Sequence, residues 1–179
     1  GASSTNLIDC ARATAVIGKE FGPLSAIVAH SFGGMISLVA AEGLPPMPYT
    51  LNVPRIALVA CPNRLLEVTG GFGDHWGLTE AGRRAFERRL ERVGGRPLDH
   101  FTLVKLLKTA ACDALIIHDR EDRDVSFRSA EEIVSEVDGA ELVAFDGFGH
   151  NNILFAPPVM RTIASYVSRD VELEMAFRR

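Results

Sequence analysis

Apolar residues gather along this chain in short unbroken runs, and the stretches between the runs carry a helical period. The runs at 24–29, 55–60, 114–117 and 141–145 are nearly continuous, as expected of strands covered on both faces. Residues 6–21 place Leu7, Cys10, Ala11, Ile17 and Phe21 on one stripe, with Thr14 its one polar member, and Gly22-Pro23 stops that helix. A second helix is predicted over 32–42, closed by Gly43 and the Pro45-Pro46 break. Amphipathic helices follow at 126–137, with Ser126 as candidate cap, and at 158–167, running on as a polar tail toward Arg179. Strands alternating with helices predict an α/β fold: a mostly parallel sheet with flanking helices.

The second and third strands are separated by more chain than a crossover needs. Thr69-Gly70-Gly71-Phe72-Gly73 reads as a loop, 79–93 as a helix, and 101–108 as a further helical piece. An insertion of this length, 62–112, is expected to form a helical cap over a site. Its arginines at 83, 84, 88, 89, 92 and 96 alternate with Glu87 and Glu91, and Phe86, Leu90 and Val93 supply a packing stripe. A solvated, salt-bridged helix explains them better than an anion-binding face.

Composition narrows the function classes. The 179 residues suit one domain, and 47% apolar with 23% charged residues is ordinary for a globular protein. A net charge of −4 gives no general affinity for nucleic acid or anionic membranes. No apolar run approaches the roughly 20 residues of a membrane helix, and none forms a secretory leader. Cys10, Cys61 and Cys112 are widely spaced and form no C-x-x-C pair, so reduced thiols in a cytoplasmic setting are expected. No metal-ligand spacing and no phosphate-cradling glycine loop occurs, and neither metal nor cofactor is expected. The chain starts at Gly1 rather than methionine, as at a processed boundary.

Three polar signals stand directly after three of the strands. Ser31 follows the first, Asp122 and Asp124 follow the third, and His150 follows the fourth. Parallel sheets collect reacting groups at the carboxyl ends of their strands, so residues distant in sequence can meet there. A serine hydroxyl is a weak nucleophile until an imidazole takes its proton, and a carboxylate holds that imidazole in the correct tautomer. Negative charge developing on a substrate oxygen needs backbone donors, and the Phe32 amide at a helix start is the natural first one. Each residue also has a plainer role open to it. Ser31 can cap a helix, Asp122 can close a turn, and His150 can bond a loop carbonyl. Asp124 rivals Asp122 as the acid.

Ala29-His30-Ser31-Phe32-Gly33-Gly34 resembles the nucleophile elbow of the α/β-hydrolases, with Ala29 where the G-x-S-x-G pattern has glycine. Small residues two before and two after the serine are expected to relieve crowding across that turn. Ile116 to Ser126 resembles the family's H-G-x-x-D-x-x-V-P segment, with Asp119 replacing glycine and Ser126 replacing proline. Gly147-Phe148-Gly149-His150 is similar to its glycine–histidine ending. The resemblance implies a serine hydrolase of the esterase or lipase kind, with Ser31 as nucleophile, Asp122 as acid and His150 as base. It implies a small-molecule acyl substrate and no cofactor.

The resemblance covers the later part of that fold, because complete members carry strands before the elbow and a loop that supplies a second oxyanion donor. A truncated α/β-hydrolase fold is therefore expected, with an exposed edge on the elbow strand through which a homodimer can form. The alternative is a hydrolase-like domain that binds without chemistry. His30 is expected to pack beside the turn, His118 to end a strand, and Cys61 to be a buried structural thiol. Trp76 and Phe72 are expected either to line a pocket or to anchor the cap.

Overall fold

The computed structural model describes residues 5–169, and the predicted polar tail lies outside the described residues beyond that point. The elements run α1 (Leu7–Phe21), β1 (Ile27–His30), α2 (Gly33–Glu42), β2 (Arg55–Val59), α3 (Leu65–His75), α4 (Glu80–Gly94), α5 (Leu103–Ala110), β3 (Asp113–Asp119), α6 (Arg128–Glu136), β4 (Glu141–Phe145), α7 (Gly149–Asn152) and α8 (Pro157–Val167). Short 3₁₀ turns at Leu98–His100 and Ile153–Phe155 complete the order. The four strands form one parallel sheet in the order β1-β2-β3-β4. Their carboxyl ends therefore share one edge of the molecule, which is where the site lies.

The period-two alternation of each strand divides the core in two. Ile56, Leu58, Ala114 and Ile116 face one side, where they pack with residues of α1, α2, α5 and α6. Ala57, Val59, Leu115 and Ile117 face the other, where Val159, Ile163 and Tyr166 of α8 cover them. Burying each large side chain of this kind contributes about 1.5–3 kcal/mol. Local signals set the helix ends. The Asn6 side chain caps α1 by accepting from the Asp9 amide at 3.0 Å, and α2 closes on Gly43, whose N–H donates to Val39 O.

Two expectations need correcting. The first strand, at the sheet edge as expected, begins at Ile27 and is not covered on both faces: Ala29 is buried but Val28 is 48% exposed. On Val28's side, α8 packs against β2 and leaves β1 uncovered. The second concerns Thr69–Gly73, which is helical within α3 rather than a loop. Glycine disfavours helix by about 1 kcal/mol per residue, but neighbouring elements override that preference here. Arg83 of α4 donates to Gly70 O at 3.2 Å and pairs with Asp74 at 2.7 Å, and the Phe86 ring packs on Phe72. Any side chain at Gly73 would collide with the Arg83 guanidinium.

Candidate active site

The sharp turn at the end of β1 carries Ser31. Its φ of 52° lies in the left-handed region, a conformation that costs a non-glycine residue about 1–3 kcal/mol. The strained residue is fastened on both sides, since its N–H donates to Val59 O at 2.9 Å and its carbonyl accepts from Gly34 N–H at 3.1 Å. Crowding at this turn falls elsewhere than expected. A Cβ at Gly33 would meet nothing within 4 Å, whereas one at Gly34 would stand 2.7 Å from Cys61 Sγ and 3.0 Å from Leu58. Gly34, not Gly33, lets α2 lie close against the end of β2. Cys61 itself is buried, donates to Val59 O at 3.3 Å, and has its pKa pushed up to about 12 by burial. It stays a neutral packing thiol.

A left-handed turn at Gly147 and again at Gly149 brings the chain from β4 directly into α7 and aims the His150 ring back at Ser31. His150 Nε2 lies 3.0 Å from Ser31 Oγ, and His150 Nδ1 lies 2.8 Å from Asp122 Oδ2. The Asp122 side chain has no solvent exposure. Burial pushes its carboxyl up, but the Val125 amide, the His150 ring and the Asp124 amide together hold it below the ordinary carboxylate value. An ionised carboxylate only accepts, so Nδ1 carries the hydrogen and Nε2 is left to accept from the Ser31 hydroxyl. Ser31 makes no helix cap, because α2 starts at Gly33 with Phe32 in the N-cap position and no side-chain cap bond. Asp122 serves its turn as well: its Oδ1 accepts from the amides of Asp124 and Val125 at 2.8 and 2.9 Å.

Asp124 stands one step back. Its carboxylate lies within 4.8 Å of the ligand-type atoms of Asp122 and His150, and its amide supports Asp122. Those three residues are the one group among the described residues that could hold a metal ion, yet Asp122 and His150 already bond each other. His75 and His100 lie outside the site. His100 and Arg96 instead pair with the buried Glu42 at 2.8 and 2.6 Å, tying the insertion to α2.

The bonding roles of three supporting residues escaped the sequence, because each works through a tertiary contact. His30 Nε2 donates to the His150 carbonyl at 2.9 Å, with the two rings 4.8 Å apart. His118 is fully buried, and its Nε2 donates to Val125 O at 3.0 Å beneath the Asp122 turn. Burial holds its pKa below the usual histidine value, so the ring is neutral. Asp119 is also fully buried, and its carboxylate accepts from two backbone amides at 2.7 Å each, those of Glu121 and Phe148. Its one visible signal was a charged residue where the H-G-x-x-D segment has glycine.

Two cavities open at this edge. One, of about 380 Å³, is lined by Ser31, Phe32, Val68, Asp124 and His150. The other, of about 370 Å³, is walled by apolar groups of α1, α3 and α4, among them Ile8, Phe72, Phe86 and Leu90. Phe32 and Val68 line both. Phe72 thus borders a pocket, while Trp76 is 64% exposed and borders neither.

Known structures share the fold of this chain. An esterase domain from Rhodothermus marinus matches 89% of the chain at 19% identity, with a TM-score of 0.55. A carboxylesterase structure from the thaumarchaeon Nitrososphaera gargenis matches 94% at 17% identity and a TM-score of 0.63. An α/β-hydrolase enzyme from a lagoon-sediment metagenome of Mar Chica, Morocco, matches 94% at 16% identity and a TM-score of 0.58. The chain has the α/β-hydrolase fold. It spans 67%, 75% and 74% of those three chains respectively. No family model and no curated protein matches its sequence. Within the α/β-hydrolase fold, Ser31, Asp122 and His150 stand after β1, β3 and β4, at the strand ends where that architecture gathers polar groups. Among the described residues no helix is long and apolar enough to cross a membrane.

Proposed function

We propose that the protein is a serine hydrolase that cleaves an ester or related acyl bond without a cofactor. The observation that carries this is the unbroken hydrogen-bonded line from Ser31 Oγ through the His150 ring to Asp122. In the proposed reaction Ser31 Oγ attacks the substrate carbonyl and its proton passes to His150 Nε2. The tetrahedral oxyanion is met by the Phe32 N–H at the start of α2, where the helix dipole adds to the donor. Collapse breaks the bond to the alcohol, which leaves with the proton from His150. Water then attacks the acyl-serine by the same route and releases the carboxylic acid.

The apolar cavity on the far side of Phe32 supports an acyl group of apolar character, and α3 with α4 are proposed as the cap that encloses it. Three unpaired cysteines support a reducing, cytoplasmic setting. A homodimer is proposed through the edge of β1, where Val28 leaves apolar surface exposed. Turnover of p-nitrophenyl esters by wild type, lost in Ser31→Ala, tests the reaction. Equal turnover by both would refute it.

A further inference from the structure

The third and fourth strands end side by side, with Asp119 the register partner of Phe145. From those two positions the chain leaves in two loops, one carrying Asp122 and the other His150. The separation and angle of these loops decide whether the imidazole meets the carboxylate. Few bonds cross between them. Arg120 N–H donates to Phe145 O at 2.9 Å, and the Arg120 side chain reaches Asp146 at the surface. Apart from the His150–Asp122 bond itself, the buried crossing among the described residues is made by one side chain. Asp119 Oδ1 accepts from the Glu121 N–H at 2.7 Å and Oδ2 accepts from the Phe148 N–H at 2.7 Å. Its own carbonyl accepts from the Asp122 N–H at 3.2 Å.

We propose that Asp119 is a positioning residue, a carboxylate strap that sets the Asp122 loop against the His150 loop and so fixes the imidazole between its two partners. This rests on reading Ser31, Asp122 and His150 as the reacting groups. The physical basis is the accounting of donors. Two amides at the ends of β3 and β4 converge on the buried Asp119 carboxylate, and an amide left without an acceptor beside it is costly. One aspartate satisfies both, because its two oxygens are held at fixed spacing. Glycine at this position would leave both amides without that acceptor, and asparagine offers one acceptor oxygen where two are required. Charge strengthens both bonds relative to neutral acceptors. The two aspartates three residues apart thus divide the work. Asp122 orients the ring, and Asp119 orients the backbone that carries ring and acid.

The test is fluorophosphonate labelling of the 179-residue chain as wild type, Asp119→Asn and Asp119→Gly, resolved into probe affinity, maximal labelling rate and final labelled fraction. A strap predicts that Asp119→Asn keeps the affinity and the final fraction while the maximal rate falls on the order of 100-fold, the cost of a misplacement near 1 Å. Asp119→Gly, lacking both oxygens, falls at least as far. A purely structural residue would lower the labelled fraction and leave the rate of the folded molecules unchanged, and that result overturns the proposal. Amide hydrogen exchange on wild type decides the matter even where neither variant folds: Glu121 and Phe148 should both be strongly protected, and rapid exchange at either removes the strap. Wild type that never labels refutes the serine-hydrolase reading instead, while the exchange result still reports on the strap by itself.

Discussion

His150 Nε2 and Ser31 Oγ stand 3.0 Å apart, though 119 residues of chain separate them. Parallel strands achieve this by delivering β1 and β4 to the same edge, with β2 and β3 between. No single loop contains the site, so disturbance of any of three strand ends should reach it.

Asp122→Asn should lower ester turnover about 10,000-fold, because the ring loses the partner that fixes its tautomer. Asp124→Asn should change it by only a few-fold, since its amide, not its carboxylate, supports Asp122. Steady-state kinetics on both variants decide the identity of the acid. The assignment fails if the larger loss belongs to Asp124.

The apolar cavity should set preference for acyl length. Four extra methylenes buried there favour hexanoate over acetate by up to about 3 kcal/mol, on the order of 100-fold in kcat/KM. Leu90→Trp, which fills the cavity wall, should remove most of that preference while leaving acetate within a few-fold of wild type. A chain-length series that does not respond to Leu90→Trp would move the acyl group to another surface.

Packing at the elbow predicts opposite outcomes for adjacent glycines. Gly33→Ala meets open space and should be tolerated, whereas Gly34→Ala drives a methyl into Cys61 and Leu58 and should cost about 1–3 kcal/mol. Combining Gly34→Ala with Cys61→Ala should restore part of the loss. Thermal unfolding of the three variants measures it, and equal destabilisation by both single changes would contradict the packing described.

Acid should weaken the fold in two windows. His118 has a folded pKa lowered by burial from its ordinary 6.5, so the unfolded chain takes the proton more readily and stability starts to fall below about that pH. Asp122 is depressed in the folded state, so its contribution is present above the ordinary carboxylate value and lost as pH falls through the lower folded value. His118→Gln should flatten melting temperature against pH between 7 and about 5. An unchanged slope would show that the buried ring is not responsible.

Assembly through β1 is open to direct measurement. Sedimentation equilibrium at low micromolar concentration should find a dimer that dissociates when Val28→Lys places a charge on the exposed edge. A monomer at all concentrations would count against the proposed interface.

Much of the fold was legible because buried parallel strands read as apolar runs: the second strand was read as 55–60 and is Arg55–Val59, buried at every residue. Where sequence and structure part, the deciding contact is long-range. Thr69–Gly73 looks like a loop in isolation and is helical because Arg83 and Phe86 of the next helix hold it. The short helix α7 was not foreseen, since its placement depends on left-handed glycines rather than on any periodic pattern. Ser31, Asp122 and His150 stood out because their residue types and order suggested chemistry. His30, His118 and Asp119 did not, because nothing in a histidine or aspartate at a strand end reveals which distant backbone group it will bond.

The most direct test of the central claim is intact-protein and peptide mass spectrometry after exposure to a fluorophosphonate. A nucleophilic Ser31 predicts one adduct per folded chain, located on Ser31, absent from Ser31→Ala and absent after denaturation. A folded wild type that takes no adduct, or a Ser31→Ala variant that takes the same one, would contradict it.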